Sequence, residues 1–409
     1  MKKLLSFITK HFKKIVSLVF YGSGLLAMFL VDIVITSKFT LNEISEWAII
    51  KSIIFISAPI TLLGVDHALV RSPALIKKAT EVVIFQVIVI SIAIILLLDY
   101  LDIIKISFIT FFIIIIIAMV QYFFALYRAT FHIAQAQYII NAWKVIMLFI
   151  VTTSSFLFEK PSIDLILLIS LLIPFLLFFK DIKTIKEIFS ITDNSEDEEK
   201  TLSGLYKIGM NFSITMVLLN VSLHLQQIMV KYSGNSYLSA LYFSHIITIV
   251  SPIVVFNGYI NFYLGPYVRK RKKNIFNNIK KDFLKFIVFC IVISSFGYFF
   301  GITLFQHLYK GKYILDNKLS VIILLTAFLR MLFIIPSSFL AVLGNKKQLN
   351  YYVFFNFIGV FAFITMFTIR ETIGLNLIYA VSLGVLLNWI IRTLSGYILL
   401  TQVYRERRL

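Results

Sequence analysis

Apolar residues run along this chain in long, nearly unbroken stretches. Twelve of them stand out, at 15–37, 45–69, 81–98, 103–126, 138–158, 162–180, 207–230, 237–260, 284–306, 319–343, 349–369 and 374–400. Each is close to the ~20 residues that carry a helix across a hydrocarbon core. The alternation of a barrel strand is absent, and backbone that crosses lipid must pair its polar groups internally, so every stretch is expected to be helical. The pattern predicts an all-α polytopic membrane protein of about twelve transmembrane helices.

Polar punctuation divides the twelve into two sets of six. The segment TDNSEDEEK (192–200) is acidic and without apolar periodicity, and it reads as a linker. The expected organisation is an N-terminal lobe over 1–190, a cytoplasmic linker over 191–206 and a C-terminal lobe over 207–409. The halves look like repeats. A shift of 194 residues places Lys51 on His245, Gly64 on Gly258 and Asp32 on Gln226, beside Gln227. A shift of 209 places Gln121 on Arg330 and Asn141 on Asn350. Equal orientation of the halves makes this a parallel repeat, two six-helix lobes related by a pseudo-two-fold axis along the membrane normal.

Composition agrees with the pattern. Of 409 residues 59% are hydrophobic and 14% charged, against roughly 25% charged in soluble domains. The formal charge of +19 raises the question of a nucleic-acid partner, but position answers it. Of 39 lysines and arginines, 27 fall in the N-terminus, the loops after even-numbered spans and the C-terminus, 8 on the opposite side and 4 within spans. The bases therefore set orientation, with both termini expected to be cytoplasmic and no nucleic acid implied. The basic start MKKLLSFITKHFKK has no small-residue cleavage site after it, so the first span is expected to be retained. The single cysteine, Cys290, can form no internal disulfide.

One hairpin carries a specific text, FLVDIVITSKFTLNEISEWAIIKSIIFISAPITLLGVDHALVR. Its second helix ends in Leu63, Gly64, Val65, Asp66, then Ala68, Leu69, Val70 and Arg71. This run resembles the first helical hairpin of Wzx-type O-antigen and capsule-repeat flippases, in the polysaccharide branch of the multidrug/oligosaccharidyl-lipid/polysaccharide exporter superfamily. YRATFHIAQAQYIINAWKV, between spans four and five, is similar in style. The resemblance implies a flippase of the bacterial cytoplasmic (inner) membrane. Its cargo would be an oligosaccharide repeat unit on undecaprenyl pyrophosphate, moved by alternating access coupled to a proton or sodium ion. No cofactor and no catalytic residue are implied. Partners would be the lipid-linked oligosaccharide, membrane lipid and a polymerase or glycosyltransferase of the same pathway.

A pyrophosphate head group needs cations or hydrogen-bond donors inside the membrane. Lys51 and Asp32 lie at similar depth in adjacent antiparallel spans. They read as a structural ion pair, as a snorkelling lysine beside an acid, or as a substrate and coupling site. By resemblance to related drug exporters, Asp32 is the candidate for ion coupling. Asn220, His224, Gln227 and Lys231 share one face of span seven, as cavity lining or as interhelical glue. His245 opens a polar and aromatic face of span eight with Thr248, Phe256, Tyr259 and Tyr263. Arg330, in mid-span with apolar residues on both sides, is the first candidate for a pyrophosphate contact. Lys144 and Arg392 are similar, although Lys144 is near enough to the cytoplasmic face to snorkel. The run 269–281 reads as topology-setting and lipid-facing, or else as a docking surface for a pathway enzyme.

No Walker A loop, HExxH, CxxC or nucleophile elbow is present. An integral-membrane glycosyltransferase or polymerase would be expected to carry a large outer loop, and the longest here is about 307–318. A multidrug or cation exporter of the same superfamily is the transport alternative. A lipid II flippase is a third, with typically fourteen spans against twelve.

Overall fold

The computed structural model describes residues 2–69, 73–103, 107–157, 162–178, 182–190, 201–254 and 279–406, with single positions 257, 260, 264 and 268. Residues 191–200 of the expected linker, 269–278 of the basic run, Arg71, Phe256, Gly258, Tyr259 and Tyr263 lie outside the described residues.

Among the described residues all regular structure is helical. In chain order the helices are α1 (Lys2–Lys38), α2 (Leu41–Leu62), α3 (Val65–Leu69), α4 (Ile76–Tyr100), α5 (Phe108–Ala129), α6 (Ile133–Leu157), α7 (Ile163–Phe178) and α8 (Ile182–Phe189). There follow α9 (Leu202–Ser233), α10 (Ser236–His245), α11 (Ile279–Leu308), α12 (Asn317–Leu332), α13 (Ile334–Leu343), α14 (Lys346–Thr368) and α15 (Leu377–Glu406). Among the described residues eleven helical stretches are long and apolar enough to cross a membrane. The sixth expected span, α7, has 16 residues, about 24 Å at 1.5 Å per residue, and contains Pro174. It is apolar but shorter than the other eleven.

Side-chain caps start the spans where the sequence supplies them. Thr40 and Glu43 form a reciprocal capping box at α2, and Asn345 and Gln348 another at α14. Asn235 caps α10 and Asp316 caps α12. Each such cap is worth about 1 kcal/mol, by giving an acceptor to an N–H that the first turn leaves orphaned.

Three spans depart from continuous helices, and each departure has a local cause. The span expected over 45–69 breaks where Leu63 and Gly64 both take positive φ, 47° and 71°. A Cβ on Gly64 would also overlap the Gly209 carbonyl oxygen, so glycine serves both the turn and the approach of α9. The span expected over 319–343 breaks at Phe333. Pro336 has no N–H to offer the Leu332 carbonyl four residues back. That carbonyl instead accepts the Tyr397 hydroxyl at 2.8 Å. In the span that opens with α10, a π-turn over Ile246–Val250 precedes Pro252. The Thr248 carbonyl, which Pro252 cannot pair, faces Gly301 of α11, where any side chain would overlap it.

Burial separates inner from outer helices. The apolar window of α2 is 72% buried, against 17% for α4 and 22% for α11. Helices α4 and α11 therefore present their apolar faces outward, as a lipid-facing helix must, while α2 sits inside its bundle. The chain forms two compact units, Met1–Asn220 and Val221–Leu409, and the division falls within α9. In the first unit α1 runs along α6, and α2 packs on α4 and α5. In the second, α15 is the hub, packed by α12, α13 and α14.

Candidate functional site

The first unit holds an ion pair inside its bundle. Lys51 Nζ donates to Asp32 Oδ2 at 2.5 Å, and Trp47 Nε1 donates to Asp32 Oδ1 at 2.9 Å. Asp32 is 2% exposed. Trp47 and Lys51 are one turn apart on α2, so a single face of that helix supplies both donors to α1.

Lys144 lies within electrostatic reach of Lys51. Its ammonium donates to Asn141 Oδ1 at 2.9 Å and sits 5.8 Å from the Trp143 ring centre. Asn141 is held in turn by Gln137, through bonds of 3.0 and 2.9 Å. A side chain on Gly24 would overlap Asn141, so that glycine lets α1 close over the amide. Among the described residues no carboxylate pairs with Lys144.

The second unit repeats this construction with arginines. Arg392 Nε donates to Asn388 Oδ1 at 3.0 Å, and Gly359 of α14 leaves the space that Asn388 fills. Arg392 is 1% exposed. Its guanidinium lies 5.5 Å from the Trp389 ring centre, and the Arg330 guanidinium lies 5.5 Å from the same ring. Phe333 meets Trp389 edge-on at 5.4 Å. Among the described residues Arg330 has no carboxylate and no hydrogen-bond partner. Two further donors here, Trp389 Nε1 and Asn388 Nδ2, are buried without an acceptor. Arg330 and Trp389 open onto a narrow cleft that also takes in Gln226, Tyr242, Thr326 and Ser382. The cluster is rich in donors and positive charge and poor in acceptors, which is the chemistry of an anion site.

The other expected residues fall elsewhere. Asn220 Nδ2 donates to the Met216 carbonyl within its own helix, at 2.9 Å. Gln227 is buried, with Oε1 unpartnered. His224 is half-buried on α9. Lys231 Nζ donates to Ser236 Oγ at 3.2 Å. The residues that the 194-residue shift aligns with Asp32 and Lys51 have separate partners. Gln226 accepts from the Tyr242 hydroxyl at 2.7 Å. His245 instead bonds the Leu241 carbonyl and the Asp316 amide. Gln121, aligned with Arg330, reaches Asp66 Oδ2 at 3.5 Å.

Sequence reasoning passed over four of these groups. Trp389 and Asn388 are invisible as partners because nothing in the text links them to Arg330, some sixty residues earlier. In the sequence Asp66 stands out only as part of the Leu63–Arg71 run, yet it is 5% exposed with Oδ1 unpartnered among the described residues. Asp316 looks like an ordinary cap, and its side chain also accepts the Tyr379 hydroxyl at 2.5 Å.

No known family description and no curated protein matches the sequence. Solved structures do match the fold. One is described as the inward-facing conformation of a multidrug resistance MATE family transporter of the MOP superfamily. It is 12% identical, with a TM-score of 0.67 over 93% of this chain and 96% of the other. A second, described as MATE in the bent conformation, is 12% identical, with a TM-score of 0.58 over 95% of each chain. This chain therefore has the fold of those transporters along nearly its whole length.

Proposed function

We propose that the protein is a flippase that moves a pyrophosphate-linked oligosaccharide lipid across the bacterial cytoplasmic membrane by alternating access, coupled to an ion gradient. The observation that carries this reading is Arg330. A half-buried guanidinium in a membrane span that meets no acid among the described residues is costly, and retaining it favours a ligand that brings the negative charge. Arg392, Trp389 Nε1 and Asn388 Nδ2 add donors beside it, and Lys144 adds a second interior cation that meets no carboxylate among the described residues. The hairpin text ending in Leu63–Arg71 supports the same cargo class. Both termini would lie in the cytoplasm, with the 191–206 linker on the same side.

A multidrug or cation exporter is the second reading, favoured by the likeness of the fold to a multidrug resistance MATE family transporter. Against it stands the engagement of Asp32. A carboxylate that already accepts from Lys51 and Trp47 is poorly placed to hold a cationic drug.

The deciding experiment is complementation in strains that lack their own flippase and make different lipid-linked repeat units. Surface polymer and efflux of cationic dyes are both measured. Rescue by the wild type, lost in Arg330→Ala at equal membrane expression, is the expected result. Dye efflux with no rescue in any background would replace the flippase reading with the exporter one.

A further inference from the structure

His245 is fully buried, and both of its ring nitrogens are engaged. Nδ1 lies 2.8 Å from the Leu241 carbonyl oxygen, which can only accept, so this nitrogen carries the hydrogen. Nε2 is then unprotonated, and it accepts from the Asp316 backbone N–H at 3.2 Å. The imidazole is held neutral in one tautomer. A proton arriving at Nε2 would set one N–H against another and break the bond to Asp316.

The anion nearest to that proton is the Asp316 carboxylate, which already has two duties. Oδ1 caps α12 by accepting from Leu319 N–H at 3.0 Å, and Oδ2 accepts from the Tyr379 hydroxyl of α15 at 2.5 Å. Burial pushes Asp316 up, but the Leu319 amide, the Tyr379 hydroxyl, the Lys318 amide and the neighbouring His245 together outweigh it and hold the carboxyl below its usual range. It therefore stays ionised and can take a proton-bearing donor. Among the described residues the ring itself meets no other charged group. Helix α11 presents Phe305, with ring centroids 4.5 Å apart, and behind it Tyr309. Phe305 and Tyr309 also line a surface cleft of about 580 Å³ with His307 and Lys310, so the aqueous side lies behind the ring that packs on His245.

We propose that His245 is a proton-binding site of the second unit, and that its protonation draws the Asp316 carboxylate away from the start of α12, the helix that carries Arg330. The proton comes from the aqueous phase and binds the Nε2 lone pair. The new N–H donates to an Asp316 oxygen, and the Asp316 amide loses its acceptor. The α12 cap and the Tyr379 bond are loosened in exchange. The π-turn that begins at Ile246 is a place where helix α10 can take up the resulting shift.

The test is hydrogen exchange on the purified full-length protein, following the amides of Asn317–Ser320 between about pH 8 and pH 5, corrected for intrinsic rates. It needs no cargo, so its outcome is separate from that of the flippase reading. In the wild type, protection should fall about five-fold as pH drops, as for the loss of one helix cap. His245→Gln keeps a donor for Leu241 and an acceptor for Asp316 and cannot titrate, so its protection should not change with pH. Asp316→Asn still caps α12 but removes the anion, and the transition should move to lower pH. Tyr379→Phe removes the competing donor and should move it to higher pH, which keeps the test usable if the Asp316 variant does not fold. Protection in the wild type that is flat across the range, or a transition that persists in His245→Gln, overturns the proposal.

Discussion

Arg330 stacks against Trp389, 5.5 Å from the ring centre, and has no acid to balance it among the described residues. A cation over an indole face gains about 0.5–2 kcal/mol. Fully desolvating a guanidinium costs several kcal/mol, and even the half-burial of Arg330 inside a span is not offset by the stack. On balance the arginine burdens the fold.

Replacing Arg330 by methionine should therefore leave thermal stability unchanged or raise it, while surface-polymer rescue is lost. Detergent-solubilised melting curves set beside the complementation assay separate the two effects. A variant that melts several degrees lower would mean the arginine has a structural partner and would weaken its assignment to cargo.

The Asp32–Lys51 pair predicts the opposite balance. Asp32→Asn leaves a lysine with 15% side-chain exposure facing a neutral amide, and breaking a buried pair costs about 3–5 kcal/mol. The double variant Asp32→Asn/Lys51→Met removes both charges and should recover most of that loss. If Asp32 also carries the coupling ion, transport stays lost in the double variant although stability returns. Recovery of both would make the pair purely structural.

Much of this architecture was readable before any coordinates. The spans declare themselves because lipid demands long apolar helices, and interior bases such as Lys51, Lys144 and Arg330 stand out against them. Asp32 could be matched to Lys51 because two adjacent antiparallel helices fix their relative depth. The Trp389 stack and the His245–Asp316 bond could not be read, because they join residues 59 and 71 positions apart through packing that the text does not encode. Gly64 is legible as a helix end and Pro336 as a residue that can bend a helix, but what takes up the freed backbone group at each is not. Whether a proline or glycine bends a membrane helix depends on which neighbour takes up the freed backbone group.

At Gly64 the neighbour is a backbone. Alanine there must adopt φ near +71° and overlap the Gly209 carbonyl oxygen. The left-handed conformation alone costs about 1–2 kcal/mol for a residue with a Cβ. Gly64→Ala should fold poorly, whereas Gly22→Ala, which meets nothing within 4 Å, should be neutral. Yields of monodisperse protein on size-exclusion chromatography compare the two, and equal yields would show that α2 and α9 do not need this close approach.

At Leu332 the neighbour is a hydroxyl. Pro336 deprives the Leu332 carbonyl of its helical donor, and Tyr397 supplies a substitute at 2.8 Å. Tyr397→Phe keeps the ring and removes only that donor, leaving a carbonyl in the membrane interior unsatisfied at a cost of about 1–3 kcal/mol. Pro336→Ala restores an N–H at the right place, so the same Tyr397→Phe change should cost much less in that background. The coupling between the two sites, read from a double-mutant cycle of unfolding free energies, should reach about 1 kcal/mol. Additive effects would mean that the Leu332 carbonyl is satisfied in some other way. In that case the break at Phe333 would have to be traced to packing around Trp389 rather than to the missing proline hydrogen bond.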